Sequence, residues 1–412
     1  MKILIVTNHF YPESFRINDL AEAFVSKGHH VTVLTGTPNY PEGKFFNGYG
    51  PFTRWREHHQ GIRIYRAPLI PRGNGKSFNL ILNYISYTIS SCLMALYISL
   101  KQLDVILVFE TSPVTVGLPA LIVKKIKKIP VLFWVQDLWP ESLSATGAVR
   151  SKLVLAAVEN LVRYIYKGSD FILVQSKAFI ESVIRCGVPS EKIRYFPNSA
   201  EDVYCPLTLE SDAEERSLMP DGFNIMFAGN IGVAQDFGTI LTAAEKLKVY
   251  PDIKWVVIGD GRMRSWLESQ IDRMGLRENI VLLGRYPTQS MPRFFSLADV
   301  LLLTLRKEPI FSLTIPSKLQ SYFACAKPVI AAIDGEGARI VNEAGAGLSC
   351  PAEAPAALAE SVLSMYRMSK DERALLGNNG RKYFENNFER STLVSCIQIW
   401  MNEAVGRNND IS

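Results

Sequence analysis

Two successive series of short apolar strands, each separated from the next by a helix-sized stretch, constrain this chain more than any other feature. In the first half, β-branched or aromatic runs stand at residues 3–7, 30–35, 62–66, 105–109, 131–135 and 171–175. A second series follows at 224–228, 254–258, 280–283, 300–305 and 328–332. Helical patterns lie between them, among them 18–27 and 154–167, where Gly28 and Gly168 read as stops, and 239–248 and 264–274. Near-continuous apolar strands alternating with helices form a parallel sheet covered on both faces. The reading is α/β: two Rossmann-like, doubly wound domains, each with a ligand crevice at the carboxyl ends of its strands, facing one another across a deep cleft. The 412 residues agree with two domains. The acidic, polar stretch at 201–220 reads as the connection, with domains at 1–200 and 205–387. A helix within 388–412 packs back across them, and Asn408, Asn409 and Asp410 read as a frayed end.

The second series carries the strongest local signal. Pro316, Ser317 and Lys318 follow the strand at 300–305 and open a helix continued by Leu319, Tyr322, Phe323 and Ala324. Proline suits a first helical turn and serine can cap it. Free N–H groups and the positive dipole end of a helix, joined by a lysine, make a cradle for a diphosphate; a plain capped helix with a solvent lysine is the competing reading. Two glycine loops favour the cradle. Gly229, Asn230 and Gly232 follow one strand, and Gly259, Gly261 and Arg262 follow the next; glycine lets a backbone approach a ligand closely. Gly284, Arg285 and Tyr286 end a further strand, where backbone and ring suit a nucleobase.

In the first series, Gln136, Asp137, Leu138, Trp139, Pro140, Glu141 and Ser142 follow the strand at 131–135. Carboxylates accept from sugar hydroxyls and a flat ring covers sugar C–H faces. The alternative is an N-cap at Asp137 with Trp139 in the core. Glu13, Arg16 and Asn18 follow the first strand, and Pro38, Asn39, Tyr40 and Pro41 the second, where an acceptor would enter.

Several classes are excluded. There is no dinucleotide fingerprint after the first strand, where Asn8, His9, Phe10, Tyr11 and Pro12 stand, and no Walker lysine loop. No Asp-x-Asp triplet offers to hold a divalent ion on a sugar nucleotide. His9, His29, His30, His58 and His59 lack metal-ligand spacing, and His29–His30 reads as a solvated turn. No metal or other cofactor is expected. The six cysteines are scattered and read as reduced core residues of a cytosolic protein. A net charge of +5, from 45 Lys and Arg against 40 Asp and Glu, is too balanced to argue for nucleic acid. The first residues read as a strand and not as a signal peptide.

Two features point toward a membrane surface. Residues 79–100 carry no charge but are interrupted by Asn and Ser, which favours a buried or partly interfacial helix over a span. Lys124, Lys125, Lys127 and Lys128 form a cationic cluster, preceded by Arg54, Arg56, Arg63, Arg66 and Arg72; such a run is either a solvated helix end or a patch for anionic headgroups.

The strand series, the segment Gly28–His29–His30, the loop from Gly229 to Gly232 and the strand at Lys327–Pro328 resemble the large group of retaining GT-B glycosyltransferases of the GT4 type. Within it, Phe10 to Glu13, Thr35 to Pro41, Gln136 to Ser142 and Pro316 to Lys318 resemble the WbuB-like branch, associated with O-antigen and capsule assembly and with N-acetyl-L-fucosamine transfer. The resemblance implies a transferase that works with retention, and the missing Asp-x-Asp triplet makes it metal-independent, with a UDP-sugar as the preferred donor. The uncharged residues 79–100 and the Lys124–Lys128 cluster suit a polyprenyl-diphosphate-linked saccharide as acceptor and a cytoplasmic enzyme peripheral to the inner membrane.

The chain departs from the group at several positions. Leu313 and Ser321 stand where the group carries two glutamates, Asn230 and Gln235 where it carries an arginine and a lysine, and Gln136 where it often has a histidine. Lys318 is therefore expected to take most of the diphosphate charge, helped by Arg262 or Arg306, with Asp137 orienting sugar hydroxyls. A nucleotide-sugar 2-epimerase and a non-catalytic sugar-binding scaffold are the rival readings.

Overall fold

The computed structural model describes residues 1–73, 77–145 and 151–409. The chain divides into two compact units, Met1–Pro197 with Arg390–Ser412, and Asn198–Glu389.

The first unit is built on eight strands: β1 (Lys2–Thr7), β2 (His30–Gly36), β3 (Arg56–His59), β4 (Ile62–Ala67), β5 (Val105–Glu110), β6 (Val131–Val135), β7 (Phe171–Val174) and β8 (Ile193–Tyr195). Their order is β3-β4-β2-β1-β5-β6-β7-β8, and every pairing is parallel except β3 on β4. The central strands β5 and β6 are buried along their whole length, as the apolar runs Val105–Phe109 and Val131–Val135 demand, with Glu110 buried at the end of β5. The edge strand β3 escapes a reading of apolar runs because it is Arg-Glu-His-His, a charged ribbon closing the sheet edge.

Helix α1 (Arg16–Ser26) buries Ile17, Leu20, Ala21 and Phe24. Gly28 just beyond it has φ 81°, the left-handed turn expected of a helix stop. Gly168 works differently. It is the last residue of helix Lys152–Gly168, and a Cβ there would meet Leu121 Cδ2 at 2.8 Å, so packing and not a left-handed cap requires the glycine. Helix α2 (Ser77–Ile98) and helix α3 (Gly117–Lys127) lie before and after β5. Helix Arg390–Asn409 lays Leu393, Val394, Ile397 and Met401 into the first unit's core; Asp410 lies outside the described residues.

The second unit carries β9 (Phe223–Ala228), β10 (Ile253–Ile258), β11 (Ile280–Gly284), β12 (Val300–Thr304), β13 (Val329–Ala332) and β14 (Gly347–Cys350), all parallel in the order β11-β10-β9-β12-β13-β14. Strand β14 is Gly-Leu-Ser-Cys, with none of the β-branched residues that mark its neighbours. The stretch 201–220 falls within this unit. It forms a short helix, Glu214–Leu218, whose Glu215 pairs with Arg293 at 2.5 Å.

Three surface readings are revised. His29 is not a solvated turn: Phe24 stacks edge-on against it and the Gln398 side chain reaches its ring. Arg66 is buried, donating to Glu57 at 2.6 Å and to the Tyr11 carbonyl, and Lys124 is paired with Asp170 at 2.6 Å, so neither is a free surface cation. Of the six free cysteines only Cys325 and Cys350 are fully buried.

Candidate functional site

Helix Ser317–Ala324 forms because Leu319, Tyr322 and Phe323 recur at helical spacing and bury against the second sheet. The buried Tyr322 hydroxyl receives the Ala228 N–H, which ties the helix to the end of β9. Pro316 occupies the N-cap position and Ser317 the first helical position, one place later than a serine cap requires; no side chain caps this end. Lys318 follows.

The Lys318 side chain turns inward. Its Nζ lies 3.6 Å from the centroid of the Phe227 ring, and a Cβ built on Gly229 would meet its Cε at 2.5 Å. Although the residue is partly accessible as a whole, Nζ itself is buried and has no hydrogen-bond partner. Burial without a counter-charge pushes its pKa down to about 7. An ammonium in such a place is costly unless something negative arrives.

Gly229 has φ 138°, and Gly259 has φ 148° with room for no side chain, since a Cβ there would lie 1.8 Å from the Gly229 carbonyl oxygen. The two loops are knitted by Ile231 N–H to the Asp260 carbonyl at 2.8 Å and Met263 N–H to the Ile231 carbonyl at 3.0 Å. Asn230 is exposed at the tip of the first loop, and Gly232 precedes Gln235, whose Oε1 is a second buried polar atom lacking a partner. Two orphaned polar atoms, Lys318 Nζ and Gln235 Oε1, thus bracket the Gly229–Gly232 loop.

Arg262, Arg285 and Ser317 are exposed. Arg306, expected to help with diphosphate charge, pairs with Glu353 at 3.5 Å. The ring of Tyr286 meets Phe294 edge-on, with centroids 4.6 Å apart. Ser321 is buried, and Leu313 ends helix Pro309–Leu313. A buried acid the sequence did not single out, Glu336, opens helix Glu336–Ala344, whose Gly337 abuts Pro316; Arg339 pairs with it at 2.8 Å.

At the carboxyl edge of the first sheet, polar residues from five segments converge. Glu13 Oε1 accepts the backbone N–H groups of Asn39 and Tyr40, each at 2.7 Å, and its Oε2 lies 2.9 Å from His9 Nδ1. Asn39 is equally engaged, donating to the Thr37 carbonyl and accepting from the Arg72 N–H. Both are buried, so they position the loops after β1 and β2 and do not offer themselves to a sugar. Tyr40 is exposed, and the Arg72 guanidinium stands 5.3 Å from its ring centroid and 5.9 Å from that of Tyr84. Arg16, at the start of α1, is partly exposed.

Beside them, Ser112 adopts φ 103°, a strained value for a side-chain-bearing residue and of the kind that clusters at functional sites. Its hydroxyl donates to Asp137 Oδ2 at 2.7 Å and accepts from Trp139 Nε1 at 3.1 Å. Trp139 is buried, so it supports Ser112 instead of presenting a sugar platform. Glu110 lies fully buried at the end of β5. One of its oxygens takes the N–H groups of Gln136 and Asp137 while the other has no partner. Burial, with Asp137 alongside, holds the Glu110 carboxyl well above the usual range, and burial raises Asp137 also. Glu110 and Ser112 are not legible in the sequence because their partners come from distant segments, whereas His9, whose partner Glu13 is four residues on, and Arg72 stand out there only as a histidine without metal-ligand spacing and as one of a run of cations. Among the described residues, no group of three or more His, Cys, Asp or Glu side chains is placed to hold a metal ion.

Two family profiles match consecutive parts of the chain: a glycosyl transferase 4-like domain over residues 14–199, and glycosyl transferases group 1 over residues 211–383. The chain is a glycosyltransferase, the two profiles between them taking up most of its length. This glycosyltransferase is 23% identical to WcaI of Escherichia coli K12, named for colanic acid biosynthesis, over 79% of this chain and 81% of that one. It is 26% identical to the Campylobacter jejuni enzyme named N-acetylgalactosamine-N,N'-diacetylbacillosaminyl-diphospho-undecaprenol 4-alpha-N-acetylgalactosaminyltransferase, over 34% of this chain and 38% of that one. Among solved structures, Anabaena Alr3699/HepE in complex with UDP superposes with a TM-score of 0.72 at 16% identity, covering 98% of this chain and 100% of the other. That likeness is one of fold, the GT-B pair of Rossmann-like domains.

Proposed function

We propose that this glycosyltransferase takes a sugar from a UDP-sugar and transfers it, with retention, to a polyprenyl-diphosphate-linked saccharide in bacterial surface polysaccharide assembly, without a metal. N-acetyl-L-fucosamine or a related 6-deoxy or N-acetyl sugar is the proposed donor moiety, and the cytoplasmic face of the inner membrane the proposed location. The observation that carries the reading is Lys318: a buried, unpartnered ammonium against a glycine loop at a helix N-terminus. It is the group a diphosphate would neutralise. The UDP in the similarly folded Alr3699/HepE supports the choice of nucleotide, and the diphospho-undecaprenol in the name of the Campylobacter jejuni relative supports the choice of acceptor.

In this mechanism the diphosphate lies across the Gly229–Gly232 amides and Lys318. As the nucleotide departs, negative charge grows on the phosphate oxygen, and the fixed N–H groups and lysine stabilise it. That oxygen takes the acceptor proton, so no covalent enzyme intermediate is needed. On the first unit, Asp137, held by Ser112, orients the acceptor hydroxyls. Incubating UDP-sugars with and without lipid-linked acceptor tests the proposal. Transfer only in the presence of acceptor supports it; donor isomerisation without acceptor, or no turnover with any UDP-sugar, overturns it.

A further inference from the structure

Helix α2 inverts the usual placement of polar and apolar residues. Its packed face consists of Asn83, Tyr87, Ser91, Ala95 and Ile98, all fully buried. The Tyr87 hydroxyl donates to the Thr7 carbonyl at 2.9 Å, Asn83 Nδ2 to the Ile70 carbonyl at 2.6 Å and Thr88 Oγ1 to Thr115 Oγ1 at 2.7 Å. The outer face is the apolar one. From Phe78 to Leu100 every exposed residue is Phe, Ile or Leu, and they recur at spacings of three or four through Ile81, Ile85, Ile89, Leu93 and Leu96. Leu93 is 65% exposed and Leu100 79%. A surface helix in water presents charge outward. This one presents an uncharged apolar stripe along 22 residues, about 33 Å.

The rim of the stripe indicates what covers it. Trp55 lies 6.2 Å from Tyr97, centroid to centroid, and both rings carry cations: Arg56 stands 5.6 Å from Trp55, and Lys101 Nζ 4.8 Å from Tyr97. Exposed Phe52 and Arg54 precede Trp55 in the chain. Helix α3 packs beside α2 and runs the same way, one helix entering β5 and the other leaving it. Its exposed Lys125 and Lys128 therefore stand at the same end as Lys101. Amphipathic rings and cations flanking an apolar stripe match the headgroup region of an anionic bilayer, where rings sit at the interface and cations meet phosphate. Because its other face is bound to the first sheet, α2 cannot cross the bilayer while the unit is folded.

We infer that the outer face of α2, rimmed by Trp55, Tyr97, Arg56 and Lys101, seats this enzyme on the surface of an anionic phospholipid bilayer, with the helix lying in the interface plane. The inference deepens the proposed function, which places the acceptor in a membrane, by naming the surface that reaches it.

The experiment is co-sedimentation of the full chain with vesicles of phosphatidylcholine alone and of phosphatidylcholine with phosphatidylglycerol. It compares wild type, Ile89→Glu/Leu93→Glu and Arg56→Ala/Lys101→Ala, with size-exclusion chromatography of each. Wild type is expected to bind the anionic vesicles. The Glu pair should lower the partition coefficient roughly a hundredfold, about tenfold per side chain withdrawn. The Ala pair should lower binding to anionic vesicles by roughly tenfold and make its loss with salt shallower. Wild type that stays in solution with anionic vesicles, a Glu pair that binds as wild type does, or a wild-type dimer that the Glu pair splits each overturns the inference. The last outcome makes the stripe an interface between copies. Transfer to a water-soluble, short-chain prenyl diphosphate acceptor reports separately on the proposed function; the Glu pair should keep it.

Discussion

Lys318 Nζ lies 3.6 Å from the centroid of the Phe227 ring, folded back against Gly229, with no hydrogen-bond acceptor in reach. A cation–π contact worth about 2 kcal/mol when desolvated does not repay the loss of hydration of an ammonium, so the side chain waits in a strained electrostatic state. Binding of a diphosphate relieves it. Lys318→Met should therefore separate stability from activity. Turnover falls roughly a hundredfold, the loss of about 3 kcal/mol of transition-state stabilisation, while the melting temperature rises. The sign of the stability change follows from the folded pKa of about 7, below the ordinary lysine value. The cost to wild type is full below pH 7 and fades as pH rises from there toward the unfolded value. Thermal melts of both proteins at pH 6 and pH 9 check this: the variant's advantage should be the larger at pH 6.

Donor affinity should depend on pH through the same group. Below pH 7 Lys318 is already charged and binding moves no proton. Above it, binding must restore the proton, so affinity falls about tenfold per pH unit. Calorimetry in buffers of different ionisation enthalpy should record proton uptake near one at pH 8 and near zero at pH 6. A UDP-sugar serves better than UDP, whose terminal phosphate ionises in the same range. A flat profile with no proton uptake would remove Lys318 from the diphosphate site.

Gly229 and Gly259 should respond differently to alanine. At Gly229 the new methyl meets the flexible end of Lys318, 2.5 Å from Cε. At Gly259 it meets backbone, 1.8 Å from the Gly229 carbonyl oxygen. Gly259→Ala is expected to lower stability by about 3 kcal/mol or more, read from denaturant midpoints. Gly229→Ala should cost less stability and still lose most donor affinity, read by calorimetry.

Much of this architecture is legible from residue order, because central strands buried on both faces must be unbroken runs of Val, Ile, Leu and Phe. What is not legible lacks that pattern or arises only in three dimensions. Strand β3 is charged, β14 is Gly-Leu-Ser-Cys, and the polar stretch before β9 holds a short helix pinned by the Glu215–Arg293 pair. The motif Pro316–Ser317–Lys318 is visible in sequence, but the burial of its ammonium depends on Phe227 and Gly229, some ninety positions away. Glu110 looks like the last residue of a strand; only its place beneath the Asp137 loop makes it a buried acid.

Glu110 should betray its environment in pH-dependent stability. A carboxyl whose folded pKa is raised contributes stability that is present below the unfolded value near 4.5 and is lost as pH rises through the folded value. Glu110→Gln keeps an oxygen for the Gln136 and Asp137 N–H groups but cannot ionise. The variant should melt above wild type at pH 8 and close to it at pH 4.5. Glu110→Ala should lose about 2 kcal/mol or more at both, since two buried amides lose their acceptor.

Glu13 holds two backbone amides and His9 at once. Replacing it with Ala should destabilise by about 2–4 kcal/mol, the range for a buried multiply bonded carboxylate. The same change should raise the KM for acceptor more than that for donor, since the loops it fixes lie in the first unit. Steady-state kinetics with each substrate varied in turn give the comparison.

The most direct test is a crystal structure of the full chain with UDP bound, read at Lys318. In that complex Nζ should have left the Phe227 ring and lie about 2.8 Å from a diphosphate oxygen, with Gly229–Gly232 amides on the same group. A diphosphate bound elsewhere, with Nζ still over Phe227, would contradict this.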